Sequence, residues 1–222
     1  VIELVEVTAQ LSGASNATLL AKDRTGVEWV YKPIRGEQPL WDFDNGTLAV
    51  REILTFLASE AMQLGIVPNT EQCTGPFGPG SAQAYVEADP MFDPRSLFRP
   101  SISDRLWPFA ALDLVTNNAD RKLGHFLLEK GSGRLLGIDH GLTFHSEDKL
   151  RTVLWGFSGR PIPASLVGSL RTLQQARFAG TVAAMLGDNE ADACADRIAN
   201  LLADPVHPEP PDDRPPIPWP VW

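Results

Sequence analysis

The stretch Asn117-Asn118-Ala119-Asp120-Arg121-Lys122-Leu123-Gly124-His125-Phe126-Leu127-Leu128, continued through Glu129-Lys130-Gly131-Ser132-Gly133-Arg134 to Leu135-Leu136-Gly137-Ile138-Asp139-His140-Gly141, decides how this chain is read. Lys130-Gly131-Ser132-Gly133 is a hairpin turn between the strand-like runs His125–Glu129 and Arg134–Ile138. A short hairpin brings its two ends together, so Asp120, His125 and Asp139 are expected to converge on one point. Two carboxylates meeting beside a nucleotide pocket suit metal-dependent phosphoryl transfer: one orients the attacking hydroxyl, the other holds Mg²⁺ on the phosphates.

On these residues the segment resembles the catalytic core of the phosphatidylinositol 3-/4-kinase-like (atypical kinase) superfamily, and the chain is read as a bacterial member. That family writes its catalytic loop as Asp-Arg, three residues, then Asn, followed by a hairpin ending in Asp-Phe-Gly or Asp-Asn-Gly. Asp120-Arg121 matches, Asn118 fits an Asn found upstream in some type II members, and Asp139-His140-Gly141 stands at the metal-binding triplet. His125 stands where the family has its metal-binding Asn. Neutral imidazole ligates transition metals better than Mg²⁺, which points toward Mn²⁺, and an ordinary histidine titrating near 6.5 would make metal binding weaken as pH falls through that range. Lys122 occupies the place where many protein kinases keep a lysine on the transferred phosphate.

Upstream, Thr18–Lys22 and Val27–Lys32 read as strands joined by Asp23-Arg24-Thr25-Gly26, and Leu48–Leu64 as a helix capped by Thr47 or Asp44. Val27, Trp29 and Tyr31 alternate with Glu28, Val30 and Lys32, so Lys32 faces away from the aromatics. A kinase-like site needs a strand lysine and an acidic partner on the next helix, and Lys32 and Glu52 fit by position. Tyr31-Lys32-Pro33 also resembles the Phe-Lys-Pro of type II phosphatidylinositol 4-kinases. Ser12, Ser15 and Asn16, in a loop of small residues before these strands, are candidate phosphate donors. Ala82–Glu87 is a further strand, and Gln83 and Tyr85 mark the hinge expected to carry adenine through its backbone.

The remainder reads as helices over Asp104–Thr116, Pro163–Ala176, Arg177–Leu186 and Glu190–Leu202. Residues 205–222 hold eight prolines and close on Pro-Trp-Pro-Val-Trp, an extended tail that packs back on the body or docks on a protein partner. The organisation expected is one α+β, two-lobed kinase-like domain over 1–204, a β-rich lobe to about 88 and a mainly helical lobe after it. Trp29, Trp41, Trp107 and Trp155 are read as packing residues, and His145 and His207 as surface residues.

Composition narrows the partners. A net charge of −9 argues against nucleic acid or an anionic membrane surface. No stretch reaches the roughly 18 apolar residues of a membrane span. Cys73 and Cys194 fit no metal spacing, and with no signal-peptide pattern at Val1 the expected compartment is the cytoplasm. The resemblance implies ATP and Mg²⁺ or Mn²⁺ as cofactors, with Asp120 and Lys122 at the transfer step and Asp139 and His125 on the metal. After Gly141 the chain offers only Lys149, Arg151 and Arg160 as positive charges before Pro163, which favours a protein or small soluble acceptor over a phosphoinositide. Two alternatives stay open: a nucleotide-binding pseudokinase that holds a partner, and an AMP transferase.

Overall fold

Tyr31 and Lys32, neighbours on one strand, separate the first lobe into a core and a cleft. In the computed structural model, which describes residues 1–11 and 16–222, they lie on β3 (Glu28–Pro33). That strand pairs with β2 (Leu19–Asp23) on one side and β5 (Gly78–Ala84) on the other. β4 (Thr70–Gly75) follows β5 in the sheet, and β1 (Ile2–Gln10) closes it into a barrel, antiparallel to β2 and parallel to β4. Trp29 and Tyr31 point inward with Leu4, Leu19, Ala21, Cys73 and Ala82, while Val30 and Lys32 face the cleft. Gly80 lets β5 press against β3: a Cβ there would stand 2.3 Å from the Lys32 carbonyl oxygen.

The β2–β3 turn is built on Asp23. Its Oδ1 accepts from the Thr25 hydroxyl at 2.7 Å and from the Thr25 and Val27 amides, and its Oδ2 from the Trp29 indole at 3.0 Å. These donors, Thr25 first, hold the carboxyl at about 2. The strand β4 is a finding that the sequence pattern hid. Thr-Glu-Gln-Cys-Thr-Gly buries only Thr70 and Cys73, so it lacks strict alternation, and Gly78-Pro79-Gly80, a run of turn-favouring residues, already belongs to β5.

Helix α1 (Leu48–Ala61) packs the barrel against the second lobe. That lobe is organised by α2 (Trp107–Thr116), the hairpin β6 (Phe126–Leu128) and β7 (Leu135–Gly137), and helices α3 (Ala164–Gln175), α4 (Phe178–Leu186) and α5 (Asp188–Ala203). Its core joins Phe109, Leu112 and Phe126 to Leu154, Phe157, Leu170 and Ile198. No helix among the described residues is long and apolar enough to cross a membrane.

Residues 205–222 run back over the second lobe as extended chain. Val206 pairs with Pro161, Arg214 meets Asp148 at 2.6 Å, and the Pro216 carbonyl accepts from the Thr152 amide and the Trp155 indole. His207, expected at the surface, is instead core: 1% exposed, with Trp107, Trp155 and Phe157 around its ring. His145 is half-buried, its Nε2 2.7 Å from the Asp42 carbonyl. Trp41 departs in the other direction; it is 91% exposed, with Lys149 over its ring at 5.2 Å.

Burial pushes the His207 imidazole below its ordinary value of 6.5. The unfolded chain therefore binds a proton that the folded chain refuses, so this contribution is complete above 6.5 and shrinks as pH falls through it. The urea midpoint is expected to drop between pH 7.5 and 5.5, with a shallower slope in His207→Phe. An unchanged slope in the variant would remove His207 as a source.

Candidate active site

Lys32 lies between two carboxylates at the bottom of a cleft of about 520 Å³ between the lobes. Its ammonium donates to Glu52 Oε1 on α1 and, at 2.8 Å, to Asp139 Oδ1 just after β7. Burial pulls the Lys32 pKa down, but Asp139 and Glu52 more than reverse it, so the group stays an ammonium with its pKa above the ordinary value. The same lysine holds the Asp139 carboxyl well below the usual range against the opposing effect of burial. Burial pushes the Glu52 carboxyl up, and Lys32 works against it.

Glu52 also fixes the segment that follows Asp139. Its Oε2 accepts from the His140 amide at 3.0 Å. One residue before it, the buried Arg51 donates to the Thr143 carbonyl at 2.5 Å, and Thr55 meets Thr143 hydroxyl to hydroxyl at 3.1 Å. Asp139 has φ +60°, in the left-handed region that most side chains avoid and that aspartate enters more readily than most. The His140 ring is fully buried and does not line the cleft; its Nδ1 lies 4.0 Å from Glu52 Oε2.

The Asn118–Lys122 loop is held from beneath by Asp113 on α2. This buried carboxylate accepts from Arg121 Nε and Nη2, at 3.0 and 2.8 Å, from Asn118 Nδ2 at 2.9 Å and from the Thr152 hydroxyl at 3.3 Å. Asn118 Oδ1 in turn accepts from the Asp120 amide at 2.9 Å. Asp113 was not among the sequence candidates, although an acid inside the apolar run Trp107–Thr116 is itself the signal of a buried partner. Asp120 emerges half-buried into the cleft, with Lys122 Nζ 2.9 Å from its Oδ2. Burial raises the Asp120 carboxyl, and Lys122 offsets part of that.

Hairpin pairing of Phe126 with Gly137, extended by the Ile138 amide to the His125 carbonyl, sets His125 beside Asp139. His125 Nε2 lies 3.5 Å from Asp139 Oδ2, while Nδ1 accepts from the Lys122 amide at 3.4 Å. That acceptor role puts the imidazole proton on Nε2, facing the carboxylate. The metal-ligand role expected of His125 would, through Nε2, require the proton to move and the Lys122 amide to lose its acceptor. In this tautomer His125 turns an N–H, not a lone pair, toward Asp139. Its pKa is likewise not an ordinary 6.5: burial foremost, with Arg121 and Lys122 adding, pushes it down to about 4 despite Asp139.

Other candidates fall less centrally. Asn16 borders the cleft, with its Oδ1 taken by the Gln38 amide at 2.8 Å; Ser12 and Ser15 lie outside the described residues. The Gln83 side chain is spent on Thr70 at 3.0 Å, and its backbone is paired on both sides by β3 and β4. The Tyr85 amide is taken by the Glu28 carbonyl at 3.2 Å. Among the described residues, the Val86 amide is the hinge donor at the cleft with no backbone partner.

An oxygen donor held ionised in a cleft, with a second polar group directed at it, fits a hard divalent cation. Among the described residues no cluster of three or more His, Cys, Asp or Glu forms a closed metal cage, so remaining coordination would come from ligand and water.

Comparison with known proteins bears on this geometry. No family model matches the sequence. Protein Rv2133c of Mycobacterium tuberculosis (strain ATCC 25618 / H37Rv) is 36% identical over 256 aligned positions, spanning 97% of this chain and 91% of that protein. Among solved structures, the Helicobacter pylori proinflammatory kinase CtkA superposes with a TM-score of 0.60 at 10% identity, over 90% of this chain and 92% of that one. The Golgi casein kinase gives 0.60 at 12% identity over 91% of this chain and 71% of its own, and its form with Mn/ADP bound gives 0.58 at 13% over 91% and 72%. The two-lobed α+β architecture is therefore that of an atypical kinase fold.

Removing one partner of a buried ion pair leaves the other charge without compensation. Asp113→Ala is expected to cost about 3–5 kcal/mol of stability in urea unfolding. A loss below about 1 kcal/mol, the range of exposed pairs, would show that Asp113 does not anchor the loop.

Proposed function

We propose, for a chain that belongs to the family of the Mycobacterium tuberculosis Protein Rv2133c and has an atypical kinase fold, that it transfers the γ-phosphoryl group of ATP to a hydroxyl acceptor. The observation that carries this reading is Lys32, held by Glu52 and reaching Asp139 across the cleft. A lysine fixed in this way offers its ammonium to the α- and β-phosphates, and a phosphate arriving there takes the place of Asp139 Oδ1. Asp139, oriented by His125, would hold Mg²⁺ or Mn²⁺; a divalent cation bound there neutralises charge on the β- and γ-phosphates. The kinship in fold to a kinase whose structure carries Mn/ADP supports this assignment.

Asp120 faces the same cleft and is the group to orient the acceptor hydroxyl and accept its proton, its basicity raised by burial. Lys122, bonded to Asp120 at rest, is placed to turn to the charge developing on the transferred group. Adenine would be held at Val86, since the neighbouring Ala84 and Tyr85 amides are already bonded to Asn69 and Glu28.

The acceptor class follows from the charges after Gly141. Lys149 is tied to Glu147 at 3.0 Å and to Asp42, and Arg160 to Asp104 at 2.8 Å. Of the three cations, Arg151 alone lacks an ion pair among the described residues. One arginine makes a poor grip for an inositol phosphate, and a protein or small soluble hydroxyl compound is the acceptor class proposed.

Incubation with γ-labelled and α-labelled ATP in Mg²⁺ or Mn²⁺ tests the reading; γ-label should leave the nucleotide. Transfer of α-label would establish AMP transfer instead, and nucleotide binding with neither transfer a pseudokinase. Asp120→Asn should keep nucleotide affinity while lowering turnover by about 10²–10⁴-fold, whereas Asp139→Asn should lose metal-dependent binding. Equal loss of binding in both would contradict this division of roles.

His125 gives a separate check. As an orienting group, neutral down to about 4, it should leave metal affinity flat between pH 7.5 and 5.5, and His125→Asn should keep the Mg²⁺/Mn²⁺ preference of the parent. A preference that moves toward Mg²⁺ in His125→Asn would instead establish direct ligation.

A further inference from the structure

The tail reaches the cleft itself. The Ile162 amide donates to the Pro205 carbonyl at 2.8 Å, Gly159 and Arg160 exchange bonds with His207, and the Thr152 amide meets the Pro216 carbonyl at 3.0 Å. Val221 then accepts from the Leu123 amide at 3.0 Å, inside the loop that carries Asp120 and Lys122. Prolines fix φ and reduce the chain entropy lost when such a segment is ordered, so an 18-residue strap rich in them is held at low cost.

Beyond Val221 the indole of Trp222 lies over Gly124: a Cβ at that glycine would stand 3.9 Å from indole Cε3. The Arg95 guanidinium lies over the ring at 5.7 Å. With one side so placed and 55% of its surface free, the indole forms part of the cleft lining together with Lys122, Gly124, His125 and Leu127. Trp222 thus touches Gly124, in the loop of Lys122 and His125 at the phosphate end of the cleft, on one side and Arg95, on the segment that follows the hinge, on the other. The portion of a nucleotide between phosphate end and hinge is its ribose.

We propose that Trp222 supplies the cleft wall on the ribose side of the bound nucleotide, and that the strap positions the Lys122–His125 loop through the Leu123 amide. This inference rests on the nucleotide reading of the cleft. It gives the Pro-Trp-Pro-Val-Trp stretch a role in the active site of its own chain.

Calorimetric titration with MgADP and MnADP, run on the parent chain, Trp222→Ala, Trp222→Phe and a chain ending at Pro216, tests it. Loss of a well-placed aromatic contact should weaken Trp222→Ala by about five- to tenfold, and Trp222→Phe should regain most of that. The shortened chain should bind at least as weakly as Trp222→Ala and show faster hydrogen exchange at the Leu123 amide. Should shortening unfold the chain, the two point variants, which leave the strap backbone in place, decide. Equal affinity in the parent and Trp222→Ala would overturn the wall while leaving the proposed function intact. No ADP binding by the parent chain would overturn both.

Discussion

Glu52 is 3% exposed, and a carboxylate buried to that degree is tolerable only when a cation meets it. Lys32 provides the cation, and its reach fixes the distance between β3 and α1. The same ammonium extends to Asp139, so three elements from two lobes meet at one nitrogen. Much else follows from this requirement. Gly80 lets β5 close on the Lys32 backbone, Glu52 binds the His140 amide, and Arg51 and Thr55 secure Thr143. In this arrangement α1 is joined to the post-Asp139 segment by buried bonds on successive turns, which makes the site preassembled.

A second buried pair does the corresponding work for the loop that carries Asp120. Asp113 gathers Arg121, Asn118 and Thr152, and through Asn118 it sets the amide of Asp120. The two networks meet at the base of the hairpin, where His125 faces Asp139. Each presents one carboxylate to the cleft with a lysine against it: Asp139 with Lys32, Asp120 with Lys122. Their environments push the two carboxyls apart, Asp139 down and Asp120 up, which matches a division between holding a cation and accepting a proton.

The hairpin, the strand of Lys32 and the helix of Glu52 were legible because each has a short-range cause: a Gly-Ser-Gly turn, strict alternation and helical spacing. The facing of Lys32 away from Trp29 and Tyr31 follows from period-two geometry alone. What escaped depends on long-range partners. β4 is mostly polar and becomes a strand only when β1 and β5 flank it. The burial of His207 requires the tail to fold back between Trp107 and Trp155, and the exposure of Trp41 reflects a loop lying outside the core. The proton on His125 Nε2 is set by an amide three residues upstream, a detail that residue type does not carry. Gln83 reads as hinge until its backbone is seen paired on both edges.

The central claim is that Lys32 and Asp139 are positioned for a nucleotide and its metal. Anomalous diffraction at the manganese edge, from crystals grown with MnADP, tests it most directly. The account predicts an anomalous peak within about 2.0–2.3 Å of an Asp139 oxygen, with Lys32 Nζ turned from Asp139 to a phosphate and still bonded to Glu52. Nucleotide density without manganese at Asp139, or a cleft in which Lys32 keeps both carboxylates and no ADP enters, would contradict it.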